Sequence, residues 1–271
     1  MKIARGNWTL KKINSIVQPN ELSEFALIYP NGSWDGNEPS FKQQNAGSDY
    51  QLFKQKVFAC QNSLCAYCEV KIDSEKPHKQ RIEHFHSKSD STEDNNWDLD
   101  WQNVFGVCLG GSDVDAFPLP ANLSCDAFKQ HAIEKGMLDV ACEGYVLNPL
   151  SIEPLVNLFR FDKATGQLQP NEQACHTTIL VDNHFTSTAQ LVANTIKVFN
   201  LNCDRLVQQR KKLLHLYNAK MKKAREANDR QWQEKLAQQW LSKPWQAFFT
   251  TRRCLLKDKA EQYLTQIAFN G

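Results

Sequence analysis

The stretch that decides the fold runs Cys65-Ala66-Tyr67-Cys68-Glu69-Val70-Lys71-Ile72, then Gln80-Arg81-Ile82-Glu83-His84-Phe85, then Trp101-Gln102-Asn103-Val104-Phe105-Gly106-Val107-Cys108, and ends at Cys125-Asp126-Ala127-Phe128-Lys129. Two cysteines with two residues between them turn both thiols toward one point, and zinc takes four soft ligands at about 2.3 Å. Cys108 and Cys125 can complete such a set, although 16 residues intervene. The other reading of that pair is of small buried hydrophobes, the commonest state of a free thiol. Cys60, Cys142, Cys175, Cys203 and Cys254 lack paired spacing and read as core residues. Nine cysteines, an odd and unevenly spaced set, argue against a disulfide framework and for a reducing cytoplasm.

Working outward, Cys65 to Ile72 reads as a knuckle running into a strand, and Gln80 to Phe85 as a second strand. Asp90 to Asn96 is acidic and loop-like. Trp101 to Cys108 suggests a short helix ended by Gly110-Gly111, and Asp113 to Asn122, with Pro118 and Pro120, reads as an insertion. Upstream, Tyr29 to Ser40 is dense in turn formers. A helix is expected from Ser48 or Asp49 to about Ala59, with Leu52, Phe53, Val57 and Phe58 as its apolar face. Downstream, Asn157 to Leu168 looks like a hairpin. From about Thr186 the spacing of Leu191, Ile196, Phe199, Leu201, Leu206, Leu213, Leu214 and Leu216 is helical. The longest apolar runs, such as Phe25 to Tyr29, are core-strand sized, so no membrane span is expected, and the N-terminus lacks a secretory stretch.

An acidic residue beside a histidine on a strand, then an asparagine, framed by zinc-type cysteines, resembles the HNH (ββα-metal) nuclease motif. The ordered set Cys65-Ala66-Tyr67-Cys68-Glu69, Ile82-Glu83-His84-Phe85, Trp101-Gln102-Asn103, Cys125-Asp126-x-x-Lys129, Leu147-Asn148-Pro149 and Leu201-Asn202 with Arg210 is similar to the PtuB type of that family. PtuB-type proteins are the HNH components of Septu and some retron antiphage systems. The resemblance spans about residues 48–212. It implies an α+β fold: a zinc-stabilised ββα-metal core, residues 47–150, between an N-terminal segment, 1–46, and a mainly helical basic region, 151–271.

The resemblance also implies roles. His84 is expected as general base, Glu83 as ligand to a catalytic Mg2+ or Mn2+, and Asn103 as the residue that orients His84 or pins the loop. Asp126 stands where many relatives carry asparagine or histidine, and an aspartate can ligate a hard cation. Cys65, Cys68, Cys108 and Cys125 are expected to hold a structural Zn2+. Lys129, Lys88, Arg210, Lys211 and Lys212 are expected on nucleic acid. Ser87 replaces a frequent proline. His86 shares a strand face with His84 by the two-residue period and reads as a solvated surface residue. Implied partners are a PtuA-like ATPase of the SMC/ABC type and, in retron settings, a reverse transcriptase/msDNA complex. DNA is the favoured substrate, with RNA or tRNA and a non-catalytic zinc adaptor as rival readings.

The net charge of +2 hides an asymmetry. Residues 1–150 carry 14 basic and 20 acidic groups, and residues 151–271 carry 18 and 10. Arg205, Arg210, Lys211, Lys212, Lys220, Lys222, Lys223 and Arg225, then Arg252, Arg253, Lys257 and Lys259, put the positive charge on expected helices. Such runs track phosphates or simply solvate a helix face. Trp232, Trp240 and Trp245 read as packing residues or as stacking platforms.

Overall fold

Two short antiparallel strands carry the middle of the chain: β1 (Arg81–His84) pairs with β2 (Val104–Val107), setting Glu83 opposite Phe105 and His84 opposite Val104. The computed structural model describes residues 12–271 apart from Asn37, Glu93, Asp94, Val140, Ser151 and Ile152. Residues 1–11 of the expected N-terminal segment and two positions of the acidic loop therefore lie outside the described residues. Before β1 come helices α1 (Glu21–Ile28) and α2 (Ser48–Cys60); after β2 comes α3 (Cys125–Glu134). A second hairpin, β3 (Phe159–Phe161) with β4 (Leu168–Pro170), leads into α4 (Glu172–Thr177) and α5 (Thr188–Val198). Beyond them lie α6 (Asp204–Glu226), α7 (Trp232–Leu241), α8 (Phe249–Leu256) and α9 (Asp258–Gln266). The described residues thus mix helices with two small sheets, and none of the helices is long and apolar enough to cross a membrane.

The local chemistry explains several departures from the sequence reading. Phe25 to Ile28 belongs to a helix, because Asn20 and Ser23 form a reciprocal capping box at its start. Residues 69–72 do not form a strand. Glu69 adopts φ +60°, turning the chain back so that the Cys65 N–H reaches the Val70 carbonyl. The segment 101–108 is one turn of 3-10 helix leading into β2, all four residues of which are buried. Leu52 and Leu216 are exposed, unlike the other expected core positions on their helices.

Gly106 shows why β2 is a strand here. The Gln61 side chain accepts from its N–H at 2.6 Å and donates to its carbonyl at 2.9 Å, and the Ala66 N–H also donates to that carbonyl. These bonds tie the cysteine knuckle and the end of α2 to β2. A Cβ at Gly106 would stand 2.6 Å from the Phe58 ring.

One apolar cluster runs from Phe58, Phe85 and Phe105 through Phe159 and Phe199 to Trp240, Trp245 and Phe249. A second, built on Leu22, Phe25, Trp34, Phe41 and Phe53, backs the other face of the β1–β2 hairpin through Val104 and Ile82. Trp240 and Trp245 are buried, as the packing reading expects.

Filling the Gly106 contact overpacks the core. Gly106→Ala is expected to lower stability by about 1–3 kcal/mol, read as a lower urea midpoint with an unchanged slope.

Candidate active site and four-thiol cluster

Strand alternation sends Glu83 and His84 to opposite faces of β1. Glu83 turns toward α3, where the Lys129 ammonium donates to its Oε1 at 2.7 Å. Lys129 also donates to the carbonyls of His84 at 3.0 Å and Phe85 at 2.7 Å, which uses its three protons. It is 3% exposed, so the phosphate contact expected of it is corrected: the ammonium lies beneath the site and fixes the end of β1. Burial, the largest influence, and the adjoining Asp126 push the Glu83 carboxyl up to about 8, against the pull of Lys129. Burial works against the Lys129 charge as well, but Glu83 holds its pKa above the ordinary lysine value. The Asp126 carboxyl, in the first turn of α3, lines the same groove as Glu83.

His84 turns the other way, toward the N-terminal elements. Its ring meets the Trp34 indole edge-on at 4.7 Å, and its Nε2 lies 3.1 Å from the Asp98 carbonyl oxygen. A carbonyl only accepts, so Nε2 carries the proton and Nδ1 keeps its lone pair. Burial lowers the His84 pKa to about 3, with the Asp98 carbonyl opposing, and the ring is neutral at physiological pH.

Asn103 sits behind the site, 5% exposed, and touches neither the His84 ring nor the groove. Its Oδ1 accepts from the His86 N–H at 2.8 Å. Its Nδ2 donates to the carbonyls of His86 at 3.0 Å and Trp97 at 3.2 Å. It therefore pins the β1–β2 loop one residue from the Asp98 carbonyl. His86 is not a solvated surface residue. Its ring stacks on Trp97 at 4.0 Å, with Glu143 2.9 Å from Nδ1 and Asp90 2.7 Å from Nε2.

Glu83, His84, Asp126, Lys129 and Lys88 line one open groove of about 380 Å³. Trp34, Asp35 and Lys42, which sequence reasoning missed, also line it. Asp35 bridges Lys88 at 2.7 Å and Lys42 at 3.1 Å, which hold its carboxyl below the usual range against its partial burial. No motif marks these positions, which lie in a stretch readable only as turns. Lys211 and Lys212 stand on α6 outside the groove. Arg210 is corrected as a nucleic-acid contact. It is 1% exposed and donates to the Leu201 carbonyl at 2.6 Å. Arg205, Arg252 and Arg253 are likewise buried rather than part of a charged surface.

The four cysteine sulfurs of 65, 68, 108 and 125 lie within 4.8 Å of one another. Cys65 and Cys125 are 3.7 Å apart, Cys68 and Cys108 3.7 Å, and Cys108 and Cys125 3.8 Å. A tetrahedron with bonds of about 2.3 Å has edges of about 3.8 Å, so the donor set fits a four-thiolate zinc ion in spacing and in softness. The backbone is bent to reach this arrangement, with Cys125 at φ +59° and Glu69 at φ +60°. The remaining cysteines stand apart from the cluster.

The chain is 40% identical over 252 residues to an Escherichia coli protein named "Retron Ec83 putative HNH endonuclease", covering 92% of this chain and 95% of that protein. No family model matches the chain.

The buried neutral His84 couples stability to pH. Between its ordinary value near 6.5 and its folded value of about 3, the unfolded chain binds a proton that the folded chain excludes. Stability from this group is full above pH about 6.5 and is lost as pH falls toward 3. His84→Asn, which keeps a donor for the Asp98 carbonyl, is expected to flatten that acid limb in denaturation curves at stepped pH. An unchanged limb counts against burial as its source.

Proposed function

The chain belongs to the HNH endonuclease family, and from that premise we propose that the groove at Glu83, His84 and Asp126 hydrolyses phosphodiester bonds with a divalent cation, DNA being the favoured polymer. One observation carries this reading. The His84 proton is committed to the Asp98 carbonyl on Nε2, leaving a neutral ring with a lone pair on Nδ1, and His84 lines the groove. That is the state a general base needs.

The residues divide the work. His84 accepts the proton of the attacking water, and Trp34 holds the ring in place from the side. Asn103 holds the loop whose Asp98 carbonyl sets the tautomer. Glu83 and Asp126 are the carboxylates to hold Mg2+ or Mn2+. The Asp126 carboxyl helps to raise the Glu83 pKa, and hard oxygen donors suit those ions. When bound, such an ion neutralises charge developing on the phosphate. Lys129 keeps Glu83 and the end of β1 in register from below. Lys88 and Lys42, at the rim, meet phosphate oxygens in exchange for Asp35. Lys211 and Lys212 extend the path of the polyanion along α6.

The four thiolates form a structural zinc centre, supported by the fit of their spacing. The wider setting rests on the retron name of the relative and the PtuB-type resemblance. In that setting the chain is the effector nuclease of an antiphage complex in the cytoplasm, and residues 151–271 present a docking surface to a PtuA-like ATPase or a retron reverse transcriptase/msDNA complex.

The chain, alone and with its ATPase, is to be offered plasmid DNA and total RNA with magnesium or manganese, beside His84→Ala. Cleavage by wild type and a loss of about 10²–10⁴-fold in the variant are expected, as for removal of a general base. Cleavage by both, or by neither under all conditions, overturns the assignment, and the degraded polymer names the substrate. Metal analysis is expected to find about one zinc per chain in both proteins, and Cys108→Ser to lower that content.

A further inference from the structure

Arg205 and Arg210 need an explanation that the groove does not supply. Both lie on α6, at 4% and 1% exposure, and a buried cation is costly unless it is paired. Among the described residues, the C-terminal ion pairs are made by Lys222, Lys235, Arg253 and Lys259, and neither Arg205 nor Arg210 joins one. Asp113 takes Lys79 at 2.8 Å, and Glu69 accepts from the Thr250 N–H and hydroxyl at 2.8 and 2.6 Å. The Nε of each guanidinium is buried without a hydrogen-bond partner.

Arg205 reaches the four-thiol cluster through bridging groups. Arg205 donates through Nη2 to the Ser124 hydroxyl at 2.7 Å, and that hydroxyl lies 3.5 Å from Cys125 Sγ. The same nitrogen reaches the Gly110 carbonyl at 3.2 Å, and the Gly110 N–H donates to Cys108 Sγ at 3.3 Å. Gly111 wraps the guanidinium so closely that a Cβ there would stand 2.5 Å from its Nε. Arg210 lies over the Phe248 ring, whose backbone N–H holds the Glu69 carbonyl beside the knuckle. Burial pushes Arg210 down to about 10, and Cys68, ahead of Glu69, Cys203 and Cys125, acts to restore its charge.

A divalent ion with four thiolates has two negative charges in excess. We propose that Arg205 and Arg210 are the built-in countercharge of that centre, so that metal occupancy and the docking of α6 on the cysteine segments form one linked equilibrium. The inference rests on the zinc reading above. With metal, two buried cations face two buried negative charges. Without it, the segments that carry Gly110 and Ser124 to Arg205 are no longer drawn together at the sulfurs, which loosens α6.

The test uses the full chain and measures zinc, not cleavage. Zinc content of the wild type comes first: a metal-free wild type sinks the zinc reading itself, an outcome distinct from a failure of the countercharge. Transfer of zinc to a chromogenic chelator is then timed for Arg205→Met, Arg210→Met and the corresponding lysine variants. Release about 10–100-fold faster in the methionine variants is expected, with the lysine variants close to wild type. Wild-type release from the methionine variants overturns the proposal. So does equal acceleration by lysine and methionine, which assigns the effect to packing. If the methionine variants do not fold, hydrogen exchange on zinc-stripped wild type decides. Lost protection across Asp204–Glu226 is expected, and retained protection overturns the linkage.

Discussion

Three segments far apart in sequence must bring sulfur to one point, and most of the middle of the molecule is arranged by that meeting. The knuckle at Cys65 and Cys68, Cys108 just beyond β2 and Cys125 at the start of α3 converge within 4.8 Å. Once Cys125 is placed, the first turns of α3 carry Asp126 and Lys129 along, and Lys129 reaches β1 to hold Glu83 and the backbone of His84. Gln61 and Ala66 tie the same knuckle to Gly106 in β2. The groove is therefore the downstream end of a chain of contacts that begins at the thiols.

Exclusion of water shapes the protonation of the site in two directions. It drives the Glu83 carboxyl up and the His84 imidazole down, so both neutral forms are favoured in the same few ångströms. Lys129 resists because three acceptors surround it. The result is a neutral imidazole next in sequence to a carboxyl that resists ionising, with burial the main cause at both groups.

The four-thiol cluster was legible in the sequence because chemistry restricts it: few side chains replace a thiol, and the order of the cysteines survives in one dimension. The helical C-terminal half and the β3–β4 hairpin were legible through periodicity and turn residues. What was not legible depends on what lies across the fold. Val104 to Val107 reads as part of a short helix until Phe58 occupies the space beside Gly106. Charge alone cannot distinguish an arginine on a solvated face from one enclosed by partners 81 and 95 residues away in sequence, as Arg205 is. His86 was misplaced for the same reason, since Glu143 arrives from 57 residues downstream. The Asp98 carbonyl is beyond sequence reading altogether, because every residue carries one.

Trp34 belongs to none of the motif segments, yet its indole forms one side of the cavity in which His84 stands. The recognisable motif is therefore narrower than the working unit. Moved to another scaffold with its cysteines, β1, β2 and α3 intact, it would leave behind the wall that keeps the imidazole dry. The portable piece of this protein begins with the turn-rich segment before α2, and sequence changes there are changes to the walls of the groove.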